Sequence, residues 1–179
     1  KKQLRKFEIT KVAKIVPGGA TGQDSIYNAL KAAQEISKST DDIVLIHDGV
    51  RPLITEKTIT DNINKVKACG SCITCVPAME TFIVRQKNNL LEIPKRSDSL
   101  IARAPQSFYL KDILAAHQRA RGEGQHDFID SCTMMSSYGY ELGTIIGPME
   151  NIKITTPTDY FVLRAMIKVH EDQQIFGIL

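Results

Sequence analysis

An α/β fold built on a doubly wound, mostly parallel sheet is predicted by three observations. Short apolar runs, 43–47 foremost, read as strands buried on both faces, as parallel strands covered by helices are. Amphipathic stretches of helical length lie between those runs, after Ser25 and from 56 to 68, so strands and helices alternate as βαβ units. The run at 43–47 ends abruptly in Asp48-Gly49-Val50-Arg51-Pro52, and open α/β sheets bind their ligands at the carboxyl ends of strands.

The chain opens on a basic stretch, with Lys1, Lys2, Arg5, Lys6, Lys11 and Lys14 against Glu8 alone. It reads as a solvated helix face with no start signal, as if the chain began inside a larger domain. Residues 11–16, Lys-Val-Ala-Lys-Ile-Val, read as a short strand, ended by Pro17-Gly18-Gly19. The glycine-rich turn runs into a helix that Asp24 or Ser25 would cap, with Ile26, Leu30 and Ala33 as its apolar stripe. Such a turn offers free N–H groups and the positive end of a helix dipole to an anion or a base, although a plain turn has the same composition.

A helix over 56–68 turns Ile59, Ile63 and Val66 inward, stops at Gly70 and leads to a buried strand at 71–76. Thr81 to Arg85 and Leu90 to Ile93 then flank Asn88-Asn89, which tolerates the positive φ of a tight hairpin. An inserted hairpin has too little core of its own and is expected to pack on another subunit. Pro105-Gln106-Ser107-Phe108 leads into a helix over 110–120, and 121–126 is an exposed loop. Asp130 caps a short helix ended by Gly139, 141–146 is a strand, and Tyr160, Leu163 and Ile167 mark a last helix.

The 179 residues are expected to form one domain, and 42% hydrophobic with 24% charged residues is the make-up of an ordinary soluble protein. A net charge of +3 is too small to argue for nucleic acid. No apolar run approaches the ~20 residues of a membrane span, and no signal peptide is visible. Cys69, Cys72 and Cys75 have a spacing seen at iron–sulfur or zinc sites. Side chains three apart on a strand point to opposite faces, however, so buried structural thiols in a reducing cytoplasm are the better reading.

The chemistry-bearing residues cluster after the strand at 43–47. Asp48 can hold a metal or accept from a hydroxyl, Arg51 can fork onto a phosphate, and Gly49 lets a ligand approach the backbone. A surface turn with an Asp–Arg pair is the bland alternative.

Taken together, the sequence blocks resemble one family, the CTP-dependent cytidylyltransferases that act on small phosphorylated polyols. The matching blocks are Gly18-Gly19 with Gln23-Asp24-Ser25, His47-Asp48 with Arg51-Pro52, Pro77 with Thr81, Ile93-Pro94 with Arg96, Pro105-Gln106 with Phe108, and Asn151-Ile152-Lys153-Ile154-Thr155 with Pro157 and Asp159. They run in family order from about residue 11 to 167. The resemblance implies a Rossmann-like nucleotidyltransferase fold in which a phosphate oxygen of the polyol attacks the α-phosphorus of CTP and releases pyrophosphate. It also implies Mg²⁺ as cofactor, a cytoplasmic enzyme with no nucleic-acid or membrane partner, and a homodimer through an arm at about 81–104.

By the same analogy Gly18, Gly19, Ser25 and Gly49 contact the nucleotide, and Asp48, Arg51 and Lys153 are catalytic. Thr81 and Arg96, with Asp48 and Lys153, bind the phosphopolyol, and Asp48 with Glu150 holds the metal. The substrate is either 2-C-methyl-D-erythritol 4-phosphate or ribitol 5-phosphate; Val50 and the Ile93-Pro94-Lys95-Arg96 block lean towards ribitol. The sequence departs from the family where Gly22 replaces an arginine and where Ala104 and Ile129 replace threonines. The basic glycine-rich loop that opens the family does not precede Lys1. Either that segment was lost or the chain is a fragment, and a dimeric fragment or module of that fold without catalysis is the alternative expectation.

Overall fold

The computed structural model describes residues 2–177, the side chains at 173, 174 and 176 excepted. Its elements in chain order are α1 (Lys2–Lys6), α2 (Gly22–Ile36), β1 (Ile43–Ile46), α3 (Glu56–Cys69), β2 (Ser71–Pro77), β3 (Val84–Arg85), β4 (Leu91–Glu92), a 3₁₀ turn (Arg96–Asp98), β5 (Leu100–Tyr109), α4 (Leu110–Gly122), α5 (Ser131–Ser137), β6 (Thr144–Ile146) and α6 (Pro157–Phe176). Contacts gather them into two compact units, 1–42 with 109–140 and 43–108 with 141–179.

In the first unit α4 packs against α2 and α5. Leu30, Ile113, Leu114, Ala120, Met134 and Met135 form its core, together with the buried imidazole of His117. The N-cap of α2 is Thr21, whose hydroxyl accepts from Asp24 N–H, and not Asp24 or Ser25 as the sequence suggests. The helix begins early enough to take both of those residues into its first turn. Asp130 caps α5 by accepting from Thr133 N–H at 2.8 Å, and Gly139 follows the helix at φ 83°, both as predicted. The predicted strand at 11–16 is not formed. Val12 and Ile15 are 43% and 58% exposed, and a short apolar stretch without a neighbouring strand gains no ladder.

The second unit carries a mixed sheet in the order β1-β5-β2-β6, in which β2 pairs parallel with β6 and antiparallel with β5. The predicted α/β architecture holds, with β5 as the strand that the sequence concealed. Pro105 conceals it, because proline donates nothing to a ladder and argues against a central strand. The structure accommodates it in a bulge: Ile73 pairs with Gln106 and Cys75 with Ala102, so residues 103–105 lie opposite Thr74 alone.

β1 is half-buried along its length and not buried on both faces as expected, because it is an edge strand. Helix α3 has Thr55 as N-cap and Gly70 at φ 83° as its end. Its inward face is Thr58, Asn62 and Val66, whereas Ile59 is 37% exposed. The isoleucine stripe misled because Asn62 is fully satisfied inside. Its Nδ2 donates to Thr58 O (2.8 Å) and Thr74 Oγ1 (2.9 Å), and Ser107 Oγ donates to its Oδ1 (2.8 Å).

Cys72 and Cys75 are buried on β2, and burial pushes the Cys72 thiol up to about 12, so it is a neutral packing residue at physiological pH. The hairpin strands β3 and β4 are only two residues each, with Asn89 at φ 61° in the turn as predicted. Along α6, Tyr160 and Ile167 are 52% and 41% exposed, so that stripe is not buried within this chain. No helix of the described residues is long and apolar enough to cross a membrane.

Candidate active site

In the second unit the chain turns sharply after β1. Arg51 N–H donates to Asp48 O at 3.0 Å, and a ring nitrogen of His47, Nε2, lies 2.9 Å from Arg51 O. Since a carbonyl only accepts, Nε2 carries the proton and the imidazole braces the turn. The Arg51 guanidinium is 11% exposed and bridges two segments. Its Nε donates to Asp48 Oδ2 at 2.9 Å and its Nη1 to Asn151 O at 2.8 Å. Ile154 N–H donates to Val50 O at 2.8 Å, so the loop that carries Lys153 is tied to the turn on both sides of the lysine.

Lys153 Nζ lies 3.5 Å from Asp48 Oδ1, with its side chain 48% exposed. Partial burial would raise the Asp48 pKa, but the Arg51 hydrogen bond and the Lys153 and Arg51 charges outweigh it and hold the carboxyl below its usual value. Asp48 is therefore an anion clamped on one oxygen and loosely faced by a half-exposed cation on the other. The three residues predicted as catalytic come together.

Two residues at this place carried no predicted role. Asn151 is 1% exposed, and its Nδ2 donates to Ala104 O at 2.9 Å, fastening the loop to β5. Arg103, in the β5 bulge, donates through Nη1 to Met149 O (2.7 Å) and Asn151 O (3.3 Å). Asn151 was legible as part of its block; Arg103 had no signal, since its strand was not recognised. Glu150 is exposed beside them, close enough for its charge to act on Arg103.

The remaining predicted residues lie apart or in the other unit. Thr81 and Arg96 are on the exposed hairpin arm, where Arg96 Nη1 donates weakly to Met79 O at 3.4 Å. Neither makes a hydrogen bond or ion pair with Asp48, Arg51 or Lys153 among the described residues. A Cβ at Gly49 would meet no atom within 4 Å, so the fold itself does not require glycine there.

In the first unit Gly19 does require it, because a Cβ would lie 2.2 Å from Asp24 Cβ. Gly19 N–H donates to Ser25 Oγ at 2.9 Å, and that hydroxyl donates to Thr21 O at 2.9 Å. Ser25 thus closes the glycine turn and retains one acceptor lone pair for a ligand. Arg121 pairs with Asp24 at 2.5 Å and lies over the Tyr27 ring at 4.7 Å.

The family model described as 2-C-methyl-D-erythritol 4-phosphate cytidylyltransferase matches residues 1–169. The chain belongs to this family. It is 47% identical over 179 residues to the ribitol-5-phosphate cytidylyltransferase of Vibrio parahaemolyticus, covering 99% of this chain and 74% of that protein. It is 35% identical to the 2-C-methyl-D-erythritol 4-phosphate cytidylyltransferase of Alkaliphilus oremlandii, over 93% of this chain and 69% of that protein. The solved 4-diphosphocytidyl-2C-methyl-D-erythritol synthase of Anaerococcus prevotii superposes with a TM-score of 0.79 at 24% identity, covering 93% of this chain and 77% of that one, and shows the shared fold. Membership makes the chain a nucleotidyltransferase of the cytidylyltransferase type, as its sequence blocks implied.

Proposed function

We propose that this protein transfers the cytidylyl group of CTP to ribitol 5-phosphate, forming CDP-ribitol and pyrophosphate. The observation that carries the choice of polyol is the identity difference, 47% to a ribitol-5-phosphate enzyme against 35% to a methylerythritol-phosphate enzyme. Methylerythritol phosphate is the second reading, on the family description itself. A module without catalysis has less support, since the relatives named above are enzymes and the charged cluster is assembled.

Attack of a phosphate oxygen on the α-phosphorus builds negative charge on the pentavalent centre. Alignment and positive charge serve that step better than covalent chemistry. Lys153 suits the role: its amine is exposed and linked to Asp48 at 3.5 Å, which leaves it free to follow the charge. Arg51 is spent on Asp48 and Asn151 and acts by fixing them. Asp48 would accept from the polyol hydroxyls. Gly18, Gly19 and Ser25 offer a backbone turn for the cytidine, with Gly49 leaving room beside Asp48.

The donor set fits Mg²⁺, which takes one or two carboxylates and completes its shell with water and substrate phosphates. Asp48 is ionised with its side chain 34% exposed, and Glu150 is the second carboxylate of the loop. Bound there, the ion would neutralise triphosphate charge. We read the arm as a homodimer contact: Ile83, Leu90, Leu91 and Ile93 are 58–63% exposed on a hairpin with two-residue strands. Thr81 and Arg96 would then serve the partner's phosphate site. Four free cysteines agree with a cytoplasmic setting.

Pyrophosphate release from CTP and Mg²⁺ tests the proposal, with ribitol 5-phosphate and methylerythritol 4-phosphate offered in parallel to the full-length protein. Ribitol 5-phosphate should be the better substrate in kcat/KM. The Asp48→Asn variant should lose about a hundredfold to a thousandfold, the scale of an electrostatic group at the reacting centre. A preference for methylerythritol phosphate would overturn the choice of polyol, and full activity of Asp48→Asn would overturn the site.

A further inference from the structure

We infer that Arg103 is a positioning residue for Lys153, acting through the loop that carries the lysine. The inference rests on the reading of Lys153 as the amine that meets the reacting phosphorus. Arg103 lies in the bulge of β5, where residues 103–105 face Thr74 alone, and a bulge re-aims a side chain out of the regular alternation. Its Nη1 spans two carbonyls of the loop, Met149 O at 2.7 Å and Asn151 O at 3.3 Å. The Asn151 carbonyl thereby receives two guanidinium donors, the other being Arg51 Nη1 at 2.8 Å.

Asn151 returns the tie, because its own Nδ2 donates to Ala104 O, the neighbour of Arg103, at 2.9 Å. Bulge and loop are thus joined in both directions two residues before Lys153, and Ile154 N–H to Val50 O fixes the chain just after it. The Lys153 backbone is held at both ends while its amine remains exposed. A side chain that merely packed would not need a charge. Here the guanidinium is drawn partly out of water and sits within reach of the Arg51 charge, a cost to its ionisation that Glu150 and the two loop carbonyls offset.

The Nη1 contacts leave Nε and Nη2 of Arg103 without a hydrogen-bond partner in the chain among the described residues. Arg51 differs, since its Nε is spent on Asp48. The position also distinguishes polar contact from charge: methionine keeps the length of the stem, and lysine restores one donor to Met149 O without the fork.

Arg103→Met and Arg103→Lys in the full-length protein test this with two readouts. The first needs no turnover: hydrogen exchange over residues 149–154 should quicken about tenfold in Arg103→Met, the equivalent of one charged hydrogen bond, with α3 and β2 unchanged and Arg103→Lys intermediate. The second is steady-state kinetics with the preferred phosphopolyol. Here kcat should fall about tenfold in Arg103→Met with KM for CTP held within about twofold, and lysine should recover part of it. Unchanged exchange in Arg103→Met overturns the inference, and so does a wild-type kcat. If the wild-type protein turns over neither phosphopolyol, the substrate reading fails, and the exchange experiment still decides the role of Arg103.

Discussion

Replacing His117 by leucine should remove a specific loss of stability in acid. His117 lies on α4 with 1% exposure, neither ring nitrogen has a hydrogen-bond partner among the described residues, and its ring stacks on Tyr27 with centroids 6.0 Å apart. Burial, then the charge of Arg121, pushes its pKa from 6.5 down to about 4, against a smaller opposing pull from Asp24. The folded state therefore keeps the imidazole neutral where the unfolded chain takes up a proton. Stability from this group is complete above pH 6.5 and is lost as pH falls to about 4.

The fall from 6.5 to about 4 corresponds to about 3 kcal/mol, a large share of a typical folding free energy. Urea denaturation of wild type and His117→Leu at pH 7.5 and pH 4 measures it. The difference in unfolding free energy between the two proteins should move by about 3 kcal/mol in favour of leucine on acidification. Parallel pH profiles would refute the reasoning, because they would mean that the imidazole is protonated in place.

Two further predictions concern the other unit. Asn62→Ala should cost about 2–4 kcal/mol in thermal or urea unfolding, since it leaves buried Thr74, Ser107 and Thr58 groups without their partner and opens a cavity. A loss below about 0.5 kcal/mol would show that water replaces the network. Mixing Arg96→Ala with Asp48→Asn protein should restore about one active site per dimer if the arm reaches the partner, and mixtures as inactive as the parents would argue against an arm in trans.

What the sequence disclosed followed from local rules. The caps of α3 and α5, the positive φ of Asn89 and Gly70 and the burial of Cys72 were legible because each depends on a few neighbouring residues. Asp48, Arg51 and Lys153 were legible as chemistry in recurring blocks, and the fold brings them together. The misses share a non-local cause. β5 was hidden because its proline is excused only by a bulge against β2, and β1 was read as buried on both faces although it is a half-buried edge strand. The inner face of α3 was read correctly at Val66 but without Asn62, which is buried by partners 12 and 45 residues away, and Ile59 is exposed instead. Arg103 inherited the invisibility of its strand.

The two cations on Asp48 differ in a way that bears on the reaction. Arg51 is nearly buried, and with Asp48 and Asn151 it forms a continuous chain of charged hydrogen bonds. Withdrawing it would strand a partly buried carboxylate, which is costly. Lys153 is half exposed at a distance longer than a hydrogen bond, so water can replace it at Asp48 for a few tenths of a kcal/mol. A phosphate approaching the site therefore competes with Asp48 for Arg51 at a large disadvantage and for Lys153 at almost none. On the proposed reading Arg51 belongs to the scaffold and Lys153 meets the substrate. This division also explains why the loop around Lys153 needs ties on both sides: an amine released from its carboxylate keeps its aim only through its backbone.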